Sequence, residues 1–217
     1  MDGIPFRDRR DAGIKLAERL REYAGRPDLL VLALPRGGAP VAAEVADVLH
    51  APLDVFLVRK LGVPGHEELA MGAIASGGQR ILNEDIVREL QIPESAIAKI
   101  EAKEEAELRR REREYRDDRP MPEVRGKTVI VVDDGLATGA TMRVAALALR
   151  QMHPARLIGA APVGAQSVCK EMETVFDEMV CVDTPEPFFG VGFWYDNFEP
   201  TTDAEVQALL RPVVSRR

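Results

Sequence analysis

The sequence predicts an α/β protein built on a doubly wound, mainly parallel sheet. Apolar runs of strand length recur along the chain, and segments with helical spacing of apolar residues lie between them. A continuously apolar strand must be covered on both faces of the sheet. The order of strand, helix and strand is the repeating unit of a parallel sheet. With 217 residues, 46% of them hydrophobic, the chain is long enough to bury one such core.

The first quarter of the chain supplies two strands and two helices. A helix is predicted over residues 8–23, a strand over 29–34, a helix over 41–49 and a strand over 53–58. The helical segments carry apolar residues every three or four positions, whereas the strand segments are almost continuously apolar. This order predicts neighbouring parallel strands joined by a crossover helix.

The middle of the chain differs from this pattern. A polar loop is predicted over residues 59–68, a hairpin over 71–76 and 80–83, and a long helix over 93–116. Acidic and basic side chains nearly balance along that helix. The basic run at 109–111 therefore indicates a solvated, salt-bridged helix face rather than a nucleic-acid contact.

Alternation resumes in the second half. Strands are predicted over residues 128–132, 157–162 and 178–182, with helices over 141–152 and 165–173. These elements extend the same sheet, because a helix of crossover length joins each strand to the next.

We predict one domain over residues 1–217. Its core spans about 8–183, an inserted hairpin and charged helix span about 71–119, and a small C-terminal hood spans about 184–217. The hood is expected to lie over the sheet as a lid, and the spacing of Thr202 to Glu205 predicts a capping box before a last helix.

Charge and composition restrict the function. A net charge of -7 and a pI of about 5.2 disfavour nucleic acid and anionic membranes as partners. No apolar run reaches membrane-spanning length, and the N-terminal residues lack the apolar stretch of a signal peptide, so a cytoplasmic protein is expected. Cys169 and Cys181 are expected to be reduced and buried, because no zinc-type spacing is present.

One segment carries the predicted chemistry. A buried strand runs into Asp133 and Asp134 and then into a glycine-rich turn that opens a helix, which is where a parallel sheet places its ligand. Such a turn can bind phosphate, and the carboxylates fit ribose hydroxyls or Mg²⁺. The alternative is that the aspartates only cap the helix and the glycines only turn the chain. The predicted binding residues of the turn are Gly135, Ala137, Thr138, Gly139, Ala140 and Thr141.

Together these residues resemble the phosphoribosyl-pyrophosphate signature of the type I phosphoribosyltransferases. The shared pattern is four apolar residues, two acidic residues, two variable positions, then a small residue, Thr-Gly, one variable residue and Thr. The resemblance implies the fold of that family and makes Asp133 and Asp134 catalytic residues that hold the ribose hydroxyls and Mg²⁺. It also implies that residues 137–141 hold the 5-phosphate.

Two further segments resemble this family. Arg36, Gly37 and Gly38 match its pyrophosphate loop, which often contains a cis peptide, here before Arg36. Arg59 and Lys60 begin a stretch similar to the mobile loop of the adenine phosphoribosyltransferase type. The resemblance gives Arg36 and Lys60 catalytic roles on the leaving pyrophosphate. The alternatives are a plain strand-to-helix turn and unsupported surface charges.

The resemblance implies a glycosyltransferase reaction. A nitrogen nucleophile, expected to be a nucleobase in nucleotide salvage, displaces pyrophosphate from C1 through an oxocarbenium-like transition state, with Mg²⁺ as cofactor. Ala137 stands where the 6-oxopurine enzymes carry an aspartate, which argues against hypoxanthine or guanine. Glu67 and Glu68 are candidates to orient the acceptor, but exposed loop glutamates are more often simply solvated.

The hood contains six of the eleven aromatic residues of the chain within positions 188–198. Trp194 and Tyr195 are predicted to contact the acceptor, because each combines a flat face with a polar edge. Phe188 and Phe193 are predicted to pack the hood onto the sheet.

Two other classes of function compete with this interpretation. A regulatory protein that senses phosphoribosyl pyrophosphate without catalysis would keep the same motif, although the retained cations favour an enzyme. P-loop and dinucleotide-binding proteins lack support, because neither GxxxxGK[ST] nor GxGxxG occurs. The acceptor and the oligomeric state stay open, with a homodimer as one candidate.

Overall fold

The computed structural model describes residues 6–211. The predicted domain of 1–217 and its hood of 184–217 extend past this range, so residues 1–5 and 212–217 lie outside the described part. The helices and strands are, in chain order, α1 (Arg9–Arg19), β1 (Leu29–Ala33), α2 (Gly38–Leu49), β2 (Leu53–Val55), β3 (Val58–Val63), β4 (His66–Ala75), β5 (Gln79–Leu82), α3 (Glu84–Glu89), α4 (Glu94–Arg116), β6 (Thr128–Val132), α5 (Ala140–Gln151), β7 (Arg156–Val163), α6 (Gln166–Met172), β8 (Glu178–Asp183) and α7 (Asp203–Leu210).

The central sheet has five parallel strands in the order β2, β1, β6, β7, β8. Every residue of β1 and β6 is buried, as their unbroken apolar sequences require. Alternate residues of each strand face opposite sides, where α1 and α2 pack on one face and α5 and α6 on the other. The predicted doubly wound α/β fold is confirmed.

A second, antiparallel sheet of β3, β4 and β5 stands apart from the first. The predicted hairpin at 71–76 and 80–83 is present, and Gly77 and Gly78 turn it with positive φ angles. The predicted loop at 59–68 is wrong, because this stretch forms β3, a tight turn and the start of β4. Leu61 and Val63 are buried on one side of β3, an alternation hidden in the sequence by the neighbouring charges.

The long charged helix is present as α4, and its basic run behaves as predicted. Arg109 pairs with Glu105, while Arg110 and Arg111 both pair with Glu107, all within the same helix. The run is thus a salt-bridged helix face. In these exposed pairs the basic side chains are neutralised by acidic side chains of the same helix, and each pair adds little stability.

One buried arginine ties α4 to the central sheet. Arg116 donates from Nε to Asp54 Oδ1 at 2.7 Å and from Nη2 to the carbonyl of Val55 at 2.7 Å. Both charged side chains are almost fully buried, so neither charge could be left alone without a large penalty. This contact fixes α4 against the end of β2.

The last described helix is α7, and the predicted capping box between Thr202 and Glu205 is confirmed at its start. Cys169 on α6 and Cys181 on β8 lie with their sulfur atoms next to each other, and the prediction of two reduced thiols stays a prediction. The sequence could not show that α6 packs back onto β8 and brings the two sulfurs together.

Among residues 6–211, no helix has the length and apolar character that crossing a membrane would require.

Candidate active site

Two predicted motifs meet at the carboxyl end of the central sheet. β1 and β6 are adjacent, with Ala33 opposite Val132, so the loops that follow them leave the sheet side by side. A Cβ atom placed on Gly37 would lie 2.1 Å from Asp134 Oδ2. One placed on Gly38 would lie 2.6 Å from the carbonyl oxygen of Val132. Glycine is required at both positions because the acidic pair and the strand before it fill the space that a side chain would occupy.

The loop after β1 contains the cis peptide between Pro35 and Arg36 that the family resemblance implied. The loop ends as α2 begins at Gly38. The Arg36 side chain is half exposed, and its Nη1 lies 3.9 Å from Asp203 Oδ2 at the start of α7. Arg36 therefore stands at the rim of the site, with a single weak ion pair described for it.

The turn after the acidic pair has the geometry of a phosphate cradle. Gly139 adopts a φ of +68° at the N-cap of the twelve-residue helix α5, a conformation that favours glycine. The turn residues Ala137, Thr138, Ala140 and Thr141 are exposed, and the amide of Ala140 donates to Thr138 Oγ1 at 3.4 Å. Leu136 anchors the turn from below, because its N–H donates to the carbonyl of Val163 at 2.9 Å. An anion at this point would meet the positive end of α5.

The two carboxylates occupy different environments. The Asp133 side chain accepts a hydrogen bond at Oδ1 from the amide of Asp134 at 2.9 Å. Burial raises the pKa of Asp133 well above its usual value, and the neighbouring charge of Asp134 raises it further. Two adjacent acids of this kind call for a cation or hydroxyl donors beside them.

A residue that the sequence did not predict supplies one such cation. Arg9, on the first turn of α1, donates from Nε to Asp134 Oδ2 at 2.8 Å, and the two side chains are only 11% and 15% exposed. Its Nη1 donates to the carbonyl of Glu199 at 2.7 Å, and its guanidinium lies 4.0 Å from the ring centroid of Phe198. In the sequence Arg9 is one of three arginines in RDRR, with nothing to distinguish it.

Tyr195 contacts the acidic pair through its hydroxyl, and its predicted contact with the acceptor stays a prediction. Its hydroxyl donates to the carbonyl of Asp134 at 2.6 Å, and its buried ring lies between Phe6 and Phe198. Burial raises the pKa of this hydroxyl. Because only 6% of Tyr195 is exposed, its ring offers little surface for stacking, while its hydroxyl holds the backbone of the acidic pair.

The other hood aromatics divide into packed and exposed rings. Phe188 packs against the small cluster formed by Phe6, Ala12, Val163 and Tyr195, as predicted, whereas the packing prediction for Phe193 is wrong because Phe193 is 73% exposed. The partly buried Trp194 joins the same cluster, and within residues 6–211 no hydrogen-bond partner is found for its Nε1. The predicted acceptor contact of Trp194 stays a prediction.

The hood nevertheless reaches the acidic site. A Cβ atom on Gly135 would lie 2.5 Å from Cγ1 of Val191, which belongs to the short 3₁₀ helix Val191–Trp194. Backbone hydrogen bonds join the hood to the segment before α1, from Phe6 to Trp194 and from Asp196 back to Phe6. The hood is therefore seated directly on the turn that follows Asp134.

The second pair of predicted cations lies on β3. Arg59 donates to Glu104 of α4 from both Nε, at 3.0 Å, and Nη2, at 2.5 Å. Lys60 lies 3.4 Å from Glu68 across the β3–β4 hairpin. Both line a cleft of about 400 Å³ between this hairpin and α4. Among the described contacts, none joins either cation to the acidic pair.

Metal binding would depend on the acidic pair. Within residues 6–211 no group of three or more His, Cys, Asp or Glu side chains could hold a metal ion alone. Asp133 and Asp134 offer carboxylate oxygens, the donors that Mg²⁺ prefers, and Mg²⁺ commonly takes its remaining ligands from water and substrate phosphates. The two carboxylates therefore fit Mg²⁺ as part of a site whose other ligands come from water and substrate.

The chain matches the family model for the phosphoribosyl transferase domain over residues 7–197. Proteins of two Mycobacterium tuberculosis strains, named "Putative phosphoribosyl transferase", are 45% identical over 205 residues, which is 94% of this chain and 46% of theirs. The chain thus spans about half the length of these curated relatives. The crystal structure of the protein TT1426 from Thermus thermophilus superposes with a TM-score of 0.84 at 40% identity, covering 95% of this chain and 97% of that one. With the acidic pair, the phosphate turn and the hood aromatics up to Tyr195 all inside the matched region, the chain belongs to the phosphoribosyl transferase family.

Proposed function

We propose that this chain transfers the 5-phosphoribosyl group of phosphoribosyl pyrophosphate to a nitrogen acceptor and releases pyrophosphate. The observation that carries the proposal is the contact between the glycine loop after β1 and the acidic pair after β6, beside an open phosphate turn. Three binding elements for one substrate, suited to pyrophosphate, ribose and 5-phosphate, meet at the carboxyl end of the sheet.

Each element would bind the part of the substrate that its chemistry suits. The exposed turn at 137–141 would donate amide and hydroxyl hydrogens to the 5-phosphate at the N-terminus of α5. Asp133 and Asp134 would accept hydrogen bonds from the ribose 2- and 3-hydroxyls. Because both groups sit on one rigid strand and its turn, the sugar would be held in a fixed orientation for attack at C1.

The leaving group would be bound by the loop after β1. The backbone of Gly37 and Gly38 lies against the acidic pair, and the half-exposed Arg36 stands at the rim. Mg²⁺ held by Asp133, Asp134 and substrate oxygens would offset the negative charge that pyrophosphate gains as it departs. Lys60 would approach the same charge by exchanging its exposed pair with Glu68.

The acceptor is proposed to be a nucleobase or a similar planar nitrogen heterocycle. Ala137 leaves the turn without the carboxylate that would bind the ring nitrogen of a 6-oxopurine. The indole N–H of Trp194 is buried in the hood without a partner within residues 6–211, and an acceptor atom that reaches it would satisfy it. A base that offers both a flat face and hydrogen-bond acceptors matches this side chain.

Calorimetry with phosphoribosyl pyrophosphate, in the presence of Mg²⁺ and then of excess chelator, tests the binding step. We expect micromolar-range binding that weakens at least about tenfold without the metal, as expected when Mg²⁺ bridges carboxylates and phosphates. Pyrophosphate release is then measured with a panel of nucleobases and amines. No binding would contradict the proposal, and binding without release from any acceptor would favour a regulatory sensor.

A further inference from the structure

We propose that Arg9 is a positioning residue, which holds the carboxylate of Asp134 in the orientation that the ribose hydroxyls need. This inference rests on the proposed function, because it concerns the same ribose site. Its basis is the 2.8 Å contact between Arg9 Nε and Asp134 Oδ2, made between two side chains that are almost buried. No other cation is described in contact with the acidic pair within residues 6–211.

The Asp134 carboxylate is confined from two sides. The backbone of Gly37 comes so close that a methyl group there would overlap Asp134 Oδ2. Arg9 contacts the same oxygen from α1. A carboxylate placed between a rigid backbone and a guanidinium keeps one rotamer, and a fixed rotamer is what a pair of hydroxyl acceptors requires.

Charge gives a second reason for Arg9. Asp133 and Asp134 are adjacent, and the Asp134 side chain is only 15% exposed, so repulsion between two ionised carboxylates here would be poorly screened. Arginine is suited to offset one of these charges, because it stays protonated and binds carboxylates through directed N–H groups. Arg9 thereby allows two neighbouring aspartates to remain at one site before substrate arrives.

Arg9 is itself held in place by the hood. Its guanidinium lies over Phe198 and donates to the carbonyl of Glu199, while Tyr195 donates to the carbonyl of Asp134. These three contacts join α1, the hood and the end of β6 around one carboxylate. A lysine could supply the charge, but it lacks the planar fork that stacks and donates in several directions at once.

The neighbouring arginines provide matched controls. Arg10, one residue along α1, points outward and pairs with Glu44 of α2 through an exposed side chain. Arg7 is also exposed and pairs with Asp11. Substitutions at Arg10 therefore change the same net charge on the same helix without touching the acidic pair.

The test compares Arg9→Met, Arg9→Lys and Arg10→Met. Affinity is measured by calorimetry for ribose 5-phosphate and, separately, for pyrophosphate, both without Mg²⁺, because the acidic pair is itself proposed to hold the metal. For Arg9→Met we expect ribose 5-phosphate affinity to fall at least about tenfold and pyrophosphate affinity to change less than about twofold, because a charge-assisted contact is lost on the ribose side only. Arg9→Lys should fall in between, and Arg10→Met should match the unchanged protein.

The outcomes separate this inference from the proposed function. If the unchanged protein binds neither phosphoribosyl pyrophosphate nor ribose 5-phosphate, the proposed function fails, and the role of Arg9 fails with it. If it binds both and Arg9→Met binds ribose 5-phosphate equally well, only the role of Arg9 is overturned. An equal loss for both probes would indicate general damage to the fold and would also overturn it. If Arg9→Met does not fold, the affinities of Arg9→Lys and Arg10→Lys for the same two probes are compared instead.

Discussion

The proposed ribose side and the proposed pyrophosphate side of the candidate site hold their charges in different ways. On the ribose side, Arg9 and Asp134 form a short ion pair that is largely buried. On the pyrophosphate side, Arg36 lies 3.9 Å from Asp203 and Lys60 lies 3.4 Å from Glu68, and all four of these side chains are well exposed. The first pair is fixed by the fold, whereas the other two are open to solvent.

This difference indicates that the two sides respond differently when substrate binds. Exposed ion pairs contribute only about 0 to 1 kcal/mol, so an arriving anion can replace them at little cost. A buried pair is held by its surroundings, and breaking it leaves an uncompensated charge. We therefore expect the ribose side to be organised before substrate binds, and the cations of the pyrophosphate side to reorient as it binds.

Neutralising the acidic pair should have the largest effect. In the double variant Asp133→Asn, Asp134→Asn, both ribose acceptors lose their charge and Arg9 loses its partner. We expect phosphoribosyl pyrophosphate affinity to fall about 1000-fold, since each hydrogen bond to a charged group contributes about 1.5–3 kcal/mol. Calorimetry measures the loss, and thermal unfolding checks that the fold persists. Undiminished affinity at saturating Mg²⁺ would show that the acidic pair does not bind the substrate.

The phosphate turn should be nearly as sensitive. Gly139→Val forces a branched residue into a φ of +68° and places its Cβ 2.8 Å from Cγ1 of Val168. Gly78→Val is the matched control, because Gly78 has a φ of +73° in a distant hairpin with open space around it. Both variants should lose stability, but only Gly139→Val should lose affinity for ribose 5-phosphate, by about 100-fold, as the cradle is displaced. Equal affinities in the two variants would show that the turn does not bind phosphate.

The sequence predicted the parts of this site that lie close together along the chain. The acidic pair, the turn and α5 follow one another directly, so a local pattern contains their geometry. Arg9 is 125 positions away from Asp134, and only the packing of α1 beside the hood brings them together. The contact between Gly37 and Asp134 likewise depends on β1 lying next to β6, which sequence order alone does not give.

The antiparallel sheet and the hood show a second limit. Periodicity within β3 was obscured because two charged residues, Arg59 and Lys60, directly precede the buried Leu61 and Val63. In the hood, aromatic content predicted packing in general but not which rings are covered: Phe193 is exposed, while Tyr195 is buried with its hydroxyl engaged. Burial of an aromatic ring depends on the neighbours that the fold supplies, which no local pattern records.

The cations of the pyrophosphate side should show a smaller and more selective effect. Arg36→Met and Lys60→Met remove exposed side chains, so thermal stability should change little. We expect each to weaken pyrophosphate binding about tenfold, equivalent to about 1.4 kcal/mol, and to leave ribose 5-phosphate binding unchanged. This is the reverse of the selectivity expected for Arg9. Parallel losses for both probes would contradict the proposed division between the two sides.

Trp194 should have the smallest effect on phosphoribosyl pyrophosphate, because it belongs to neither charged side. Its carbonyl, which accepts from the amide of Phe6, remains in any variant, so Trp194→Phe should keep the hood seated. The substitution removes an indole N–H for which no partner is found within residues 6–211. We expect affinity for phosphoribosyl pyrophosphate to change less than about twofold, and the KM of an acceptor found in the release screen to rise about tenfold, the loss of one hydrogen bond. Phe193→Ala, at an exposed neighbouring ring, separates this effect from a general loss of aromatic surface. An unchanged acceptor KM in Trp194→Phe would assign Trp194 to packing, beside Phe188 and Tyr195.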